Sequence, residues 1–155
     1  MGHEIERKFL VRDDSWKSSA DKGTQILQGY LALDDRREVR VRIMDRSTAK
    51  LTIKAGGAKL SRAEFEYAIP VEDAERLIRL CIGSPLEKTR YRVPAGHGMV
   101  WEVDRFAGHH AGLVLAEIEL DDEASVFEKP EWLGQEVTGD PAYYNASLAV
   151  GHRMA

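Results

Sequence analysis

The chain has 155 residues, enough for one domain and one core of useful size. Its hydrophobic content of 43% and charged content of 31% fit a soluble globular protein and exclude a disordered one. The net charge of −4 argues against a general binder of nucleic acid or membrane surfaces.

The opening stretch HEIERKFLV, residues 3–11, alternates as a strand does, with Glu4, Glu6 and Lys8 on one face and Ile5, Arg7 and Phe9 on the other. DDSW then suggests a short helical turn. Further strands are predicted near 24–33, 37–45, 48–55, 62–70, 86–93, 99–106 and 113–120. PVEDAERLIRLCIG reads as the clearest helix, with acids in its first turn and Gly83 as its stop. DPAYYNASLAVG reads as a closing helix with an Asp cap and Pro at its first position. EKPEWLGQEVTG fits neither pattern. AGGAK lacks the full phosphate-loop spacing and reads as a hairpin turn. No segment is apolar enough to span a membrane, and the acidic start lacks the features of a signal peptide. Cys81 is the single cysteine and reads as a small core residue, which suits a reducing cytoplasm. His3, His97, His109, His110 and His152 form no ligand spacing and read as surface residues.

The charged i, i+2 pair recurs from strand to strand. REVRVRI carries Arg40 and Arg42, LTIKAG carries Lys54, AEFEYAI carries Glu64 and Glu66, and EKTRYRV carries Lys88, Arg90 and Arg92. VWEVDRF carries Glu102 and Asp104, and LAEIEL carries Glu117 and Glu119. Each strand therefore has one apolar face and one charged face. The charges have two homes. One is a solvated face, with opposite charges paired across the ladder. The other is the interior of a closed barrel that holds a ligand. The near absence of Ser, Thr, Asn and Gln among these positions favours the interior. There, clustered Arg and Lys suit a polyanion such as phosphate, and clustered carboxylates suit Mg²⁺ or Mn²⁺.

Glu4-x-Glu6-x-Lys8 also matches the ExExK signature of the CYTH superfamily, the triphosphate tunnel metalloenzymes. REVRVRI, LTIKAGGAKLSRAEFEYAIP, LEKTRYRV, WEVDRF, GLVLAEIEL and WLGQEVTGDPAYYNASLA follow in family order. Across residues 1–155 the chain resembles the short bacterial form as a single domain. The resemblance implies an α+β, mainly β fold, an eight-stranded antiparallel closed barrel with a charged interior and flanking helices. It implies hydrolysis of the terminal phosphoanhydride of a triphosphate, foremost inorganic tripolyphosphate, with Mg²⁺ or Mn²⁺.

Residue by residue, the resemblance gives Glu4, Glu6, Glu117 and Glu119 as metal-holding and catalytic acids. It gives Lys8 as a catalytic lysine against phosphate, and Arg40, Arg42, Lys54, Lys88 and Arg90 as further substrate-binding bases. Glu64, Glu66, Glu102 and Asp104 are inward acids whose roles vary among members, and Arg92 stands toward the tunnel mouth. Class IV adenylate cyclase and thiamine triphosphatase are alternatives within the family, but no base-recognition motif is evident. A non-catalytic polyphosphate or nucleotide binder is the alternative outside it. The expected partner is a small triphosphate compound, not nucleic acid or membrane, and exposed sheet edges are compatible with a homodimer. Tyr143 and Tyr144 are expected to pack the last helix onto the barrel.

Overall fold

The computed structural model describes residues 5–56 and 63–151. These residues form nine strands: β1 (Ile5–Val11), β2 (Thr24–Leu33), β3 (Arg37–Met44), β4 (Thr48–Ala55), β5 (Ala63–Ile69), β6 (Ile82–Gly96), β7 (Met99–Ala107), β8 (Val114–Leu120) and β9 (Leu133–Glu136). Two α-helices join them, α1 (Val71–Ile78) and α2 (Asn145–Gly151). The fold is mainly β, and the sheet order is β5-β4-β3-β2-β6-β7-β8-β1-β9. The pairs β1–β8, β1–β9, β2–β3, β3–β4, β4–β5 and β7–β8 are antiparallel.

The expected closed, eight-stranded barrel is corrected here to an open sheet of nine strands. The physical reason is edge occupancy. A strand has two hydrogen-bonding edges, and those of β1 are taken by β8 and, along Phe9–Val11, by β9. β5 ends the opposite side of the order. β9 is only four residues long, too short to show alternation in sequence. It is fastened by Arg7, whose guanidinium donates to both carboxylate oxygens of Glu136 at 2.8 and 2.6 Å. The same guanidinium lies 5.0 Å over the Phe127 ring. The hydrogen bond from Arg7, with a further one from Thr138, holds the Glu136 carboxyl down at about 2.

The chain forms two compact units, residues 1–24 with 89–140, and residues 25–88 with 141–155. In the first, the apolar face of β1, β7 and β8 contributes Phe9, Trp101, Val103, Ala116 and Ile118 to a core closed by Trp16, Trp132 and Leu133. Trp16 comes from a 3-10 turn at Ser15–Ser19, where DDSW predicted a turn. In the second, Val41, Ile43 and Ala49 pack on Ala74 and Ile78 of α1. Both cores use the apolar half of the alternation.

Other differences are local. α1 stops at Ile78, not at Gly83, because Leu80 and Cys81 donate back to Leu77 and Ile78 and the chain enters β6 at Ile82. Cys81 is half-buried beyond the helix end. DPAYYNASLAVG splits into a 3-10 turn at Pro141–Tyr143 and α2 from Asn145. Most of AGGAK lies outside the described residues. Among the described residues, no helix is long and apolar enough to cross a membrane.

Gly83 shows how tightly α2 sits. Its φ is +68°, and a Cβ there would stand 2.3 Å from the Ala149 carbonyl oxygen. Gly83→Ala is expected to destabilise the protein by about 1–3 kcal/mol in urea unfolding. An unchanged midpoint would contradict that packing.

Candidate active site

Part of the polar half of the alternation is withdrawn from water in both units, while Glu6, Lys50, Glu64, Glu66, Arg92 and Glu119 stay exposed. Gln28 is 0% exposed, Thr52 2%, Lys88 3% and Asp104 8%. A wholly solvated face would leave these groups accessible, so the charged side is buried in part and solvated in part. Buried charge needs partners, and the strand registers show which groups supply them.

In the first unit, register sets Lys8 against Glu117 and Glu6 against Glu119 across β1 and β8. Glu102 of β7 stands on the other side of Glu117. Lys8 Nζ lies 3.7 Å from Glu117 Oε2. Burial, then the charge of Glu6 and a hydrogen bond to it, push the Glu117 carboxyl up to about 7, against the pull of Lys8 and Arg90. Arg90 of β6 donates twice to Asp104, at 2.8 and 3.0 Å, and once to Glu102 at 3.4 Å. Burial opposes its charge, but Asp104 and then Glu102 outweigh this, and its pKa is raised. Arg92, with a more exposed side chain, reaches the same Glu102 at 3.9 Å.

In the second unit, three rows cross the sheet. Gln28, Arg42 and Lys50 form one; Tyr30, Arg40, Thr52 and Glu66 form the next; Glu38, Lys54 and Glu64 form the third. Arg42 Nε donates to Gln28 Oε1 at 2.8 Å. Glu66 accepts from Lys50 at 3.2 Å and from Thr52 at 3.4 Å, and the Lys50 bond is the main cause of its lowered pKa. Tyr30 is buried beside Arg40, and burial raises its hydroxyl pKa. Lys88 Nζ donates to Asn145 Oδ1 at 3.2 Å, which ties the start of α2 to β6.

The structure thus brings Glu6, Glu117 and Lys8 together, groups Arg90 with Glu102 and Asp104, and aligns Arg40, Arg42 and Lys54 on one face. Glu119 is exposed beside Glu6 in register. Glu4 lies outside the described residues. No group of three or more His, Cys, Asp or Glu is close enough to hold a metal ion among the described residues. The donor chemistry of the acids nevertheless fits one. Two carboxyls that share a hydrogen bond, one with its proton retained to about 7, form the oxygen pair that a hard divalent cation stabilises by replacing that proton.

Sequence reading missed Gln28, Tyr30, Lys50, Thr52 and Asn145. Lys50 and Thr52 share the parity of Lys54 and were readable from TAKLTIKA. Gln28 and Tyr30 are neutral, so a search for charge passes over them.

A family model for the CYTH domain matches residues 2–148. The chain belongs to the CYTH domain family. It is 48% identical over 149 residues to an inorganic triphosphatase of Acetivibrio thermocellus, covering 96% of this chain and 94% of that protein. It is 39% identical over 150 residues to an inorganic triphosphatase of Nitrosomonas europaea, covering 95% and 97%. The crystal structure of the inorganic triphosphatase NE1496 superposes with a TM-score of 0.74 at 36% identity, covering 97% of this chain and 96% of that one. The two strands flanking β1 in this CYTH chain, β8 and β9, explain both its acidic neighbours and its open edge.

In the metal-free protein, the Glu117 carboxyl is expected to titrate near 7 by side-chain NMR, and Glu6→Gln should lower it. Because the folded value lies above the ordinary 4.5, this group favours folding below about 4.5, and its contribution is lost as pH rises to about 7. A wild-type midpoint in the ordinary carboxylate range would contradict the Glu6–Glu117 contact.

Proposed function

We propose that this CYTH protein is a metal-dependent inorganic triphosphatase that hydrolyses the terminal phosphoanhydride of tripolyphosphate. The observation that carries this reading is the burial of charged groups on the strands, Lys88 and Asp104 above all, together with the contact between Glu6 and Glu117, whose carboxyl is pushed up to about 7. The kinship with inorganic triphosphatases at 48% and 39% identity over nearly the whole chain supports it.

In this reading Arg40, Arg42, Lys54, Lys88, Arg90 and Lys8 bind phosphate oxygens and neutralise the charge that resists attack. Glu6 and Glu117, with Glu4 and Glu119, hold Mg²⁺ or Mn²⁺. When bound, the metal would supply Lewis acidity toward the phosphate chain and lower the pKa of bound water. Asp104 and Glu102 fix the Arg90 guanidinium by charge-assisted hydrogen bonds, so it is oriented before substrate arrives. Glu66 anchors Lys50, and Glu64 stands beside Lys54 in register. A single cysteine suits a reducing cytoplasm as the site of action.

The test is phosphate release from tripolyphosphate, pyrophosphate, ATP and thiamine triphosphate with Mg²⁺, Mn²⁺ or EDTA. The expected result is release from tripolyphosphate that EDTA abolishes, with slower release from the others. Preference for ATP with cyclic AMP as product would instead favour the cyclase reading, and no turnover of any compound would favour a binding module. Glu119→Gln is expected to fold normally and to lose roughly 10²-fold or more in kcat. Wild-type turnover in that variant would remove Glu119 from the metal-holding set.

A further inference from the structure

Gln28 carries an inference that rests on this reading of Arg42 as a phosphate-binding residue. Its side chain is fully buried on β2 and stands opposite Arg42 in register. A guanidinium only donates, so the 2.8 Å contact with Arg42 Nε requires the amide oxygen to face Arg42. The amide nitrogen must then point elsewhere, and Gln28 Nε2 is buried with no hydrogen-bond partner among the described residues. An amide placed for stability would have both ends satisfied, because a buried donor without an acceptor is unfavourable. Gln28 is therefore poorly explained as a packing residue and well explained by what its oxygen does.

The contact differs in kind from the one on Arg90. Arg90 is gripped by the carboxylates of Asp104 and Glu102, which orient it and also offset its charge. The acceptor that Gln28 offers is neutral, so it orients the guanidinium of Arg42 without cancelling charge. It occupies Nε and leaves the orientation of the terminal nitrogens fixed, as bidentate binding of a phosphate requires. We propose that Gln28 is a positioning residue that sets the Arg42 guanidinium for the triphosphate through a neutral acceptor.

The experiment is calorimetric binding of tripolyphosphate in EDTA, where no turnover occurs, to wild type, Arg42→Ala, Gln28→Met, the double variant and Gln28→Glu. Thermal melts accompany each protein. Arg42→Ala is expected to weaken binding by about tenfold or more, and Gln28→Met by a smaller factor, without a large loss of melting temperature. The double variant should bind no more weakly than Arg42→Ala, because Gln28 acts through Arg42. Gln28→Glu keeps an acceptor but adds negative charge, and should weaken binding at least as much as Gln28→Met.

Wild-type affinity in Gln28→Met, beside a weakened Arg42→Ala, would overturn the role of Gln28 alone. So would a double variant weakened by the product of both factors. No loss of affinity in Arg42→Ala would instead overturn Arg42 as a phosphate ligand, and the proposal with it. If Gln28→Met does not fold, Gln28→Glu decides in the wild-type and Arg42→Ala backgrounds: a loss of affinity that disappears in the Arg42→Ala background supports action through Arg42, and an equal loss in both backgrounds, or wild-type binding, overturns it.

Discussion

Charge that leaves water must find charge or a strong hydrogen bond in its place, and this requirement organises the molecule. Period-two alternation gives most of the long strands an apolar side and a charged side, and gives β2 a neutral polar one. Aromatic and aliphatic cover claims the first, on Trp16, Trp132 and Leu133 in one unit and on α1 in the other. The charged sides are then obliged to satisfy one another. Strand register decides how, since it alone sets Lys8 against Glu117, Arg40 against Thr52 and Lys54 against Glu64.

The solutions are chemically distinct. Arg90 is oriented by two acidic residues, Lys50 by Glu66, and Arg42 by an amide. Glu6 and Glu117 repel, and the conflict is relieved by a retained proton. A protein built only for stability gains little from setting the half-buried Glu117 carboxyl against Glu6. A protein that must receive a divalent cation gains a pair of hard oxygen donors, with the proton as a placeholder. The kinship with inorganic triphosphatases fits the proposed function, in which a phosphate chain and its metal ion would bring the missing charges of both signs.

Much of this was legible because alternation is a strong signal. β2 and β4 lie where the sequence placed them, β3, β7 and β8 differ by one residue at an end, β1 ends at Val11 as expected and β5 ends one residue early, while the expected starts at 3 and 62 lie outside the described residues. The ExExK signature and the paired charges pointed to the residues that register later aligned. Three things were hidden. β9 has four residues and no alternation, yet it takes the second edge of β1 and leaves the sheet open. β6 begins at Ile82 within a run whose apolar spacing also suits the last turn of a helix. Gln28 and Tyr30 are uncharged, and their importance comes only from the arginines that register sets beside them. Pairing across strands is a property of the fold, and single-strand patterns do not contain it.

The most direct measurement is an anomalous difference map from crystals grown with Mn²⁺ and tripolyphosphate. The expected map has a manganese peak roughly 2.0–2.3 Å from carboxylate oxygens of Glu6 and Glu117, with phosphate density against Arg40 and Arg42. Manganese bound away from these carboxylates, with phosphate density away from these arginines, would contradict the central claim that the buried charge is built for a metal-bound triphosphate.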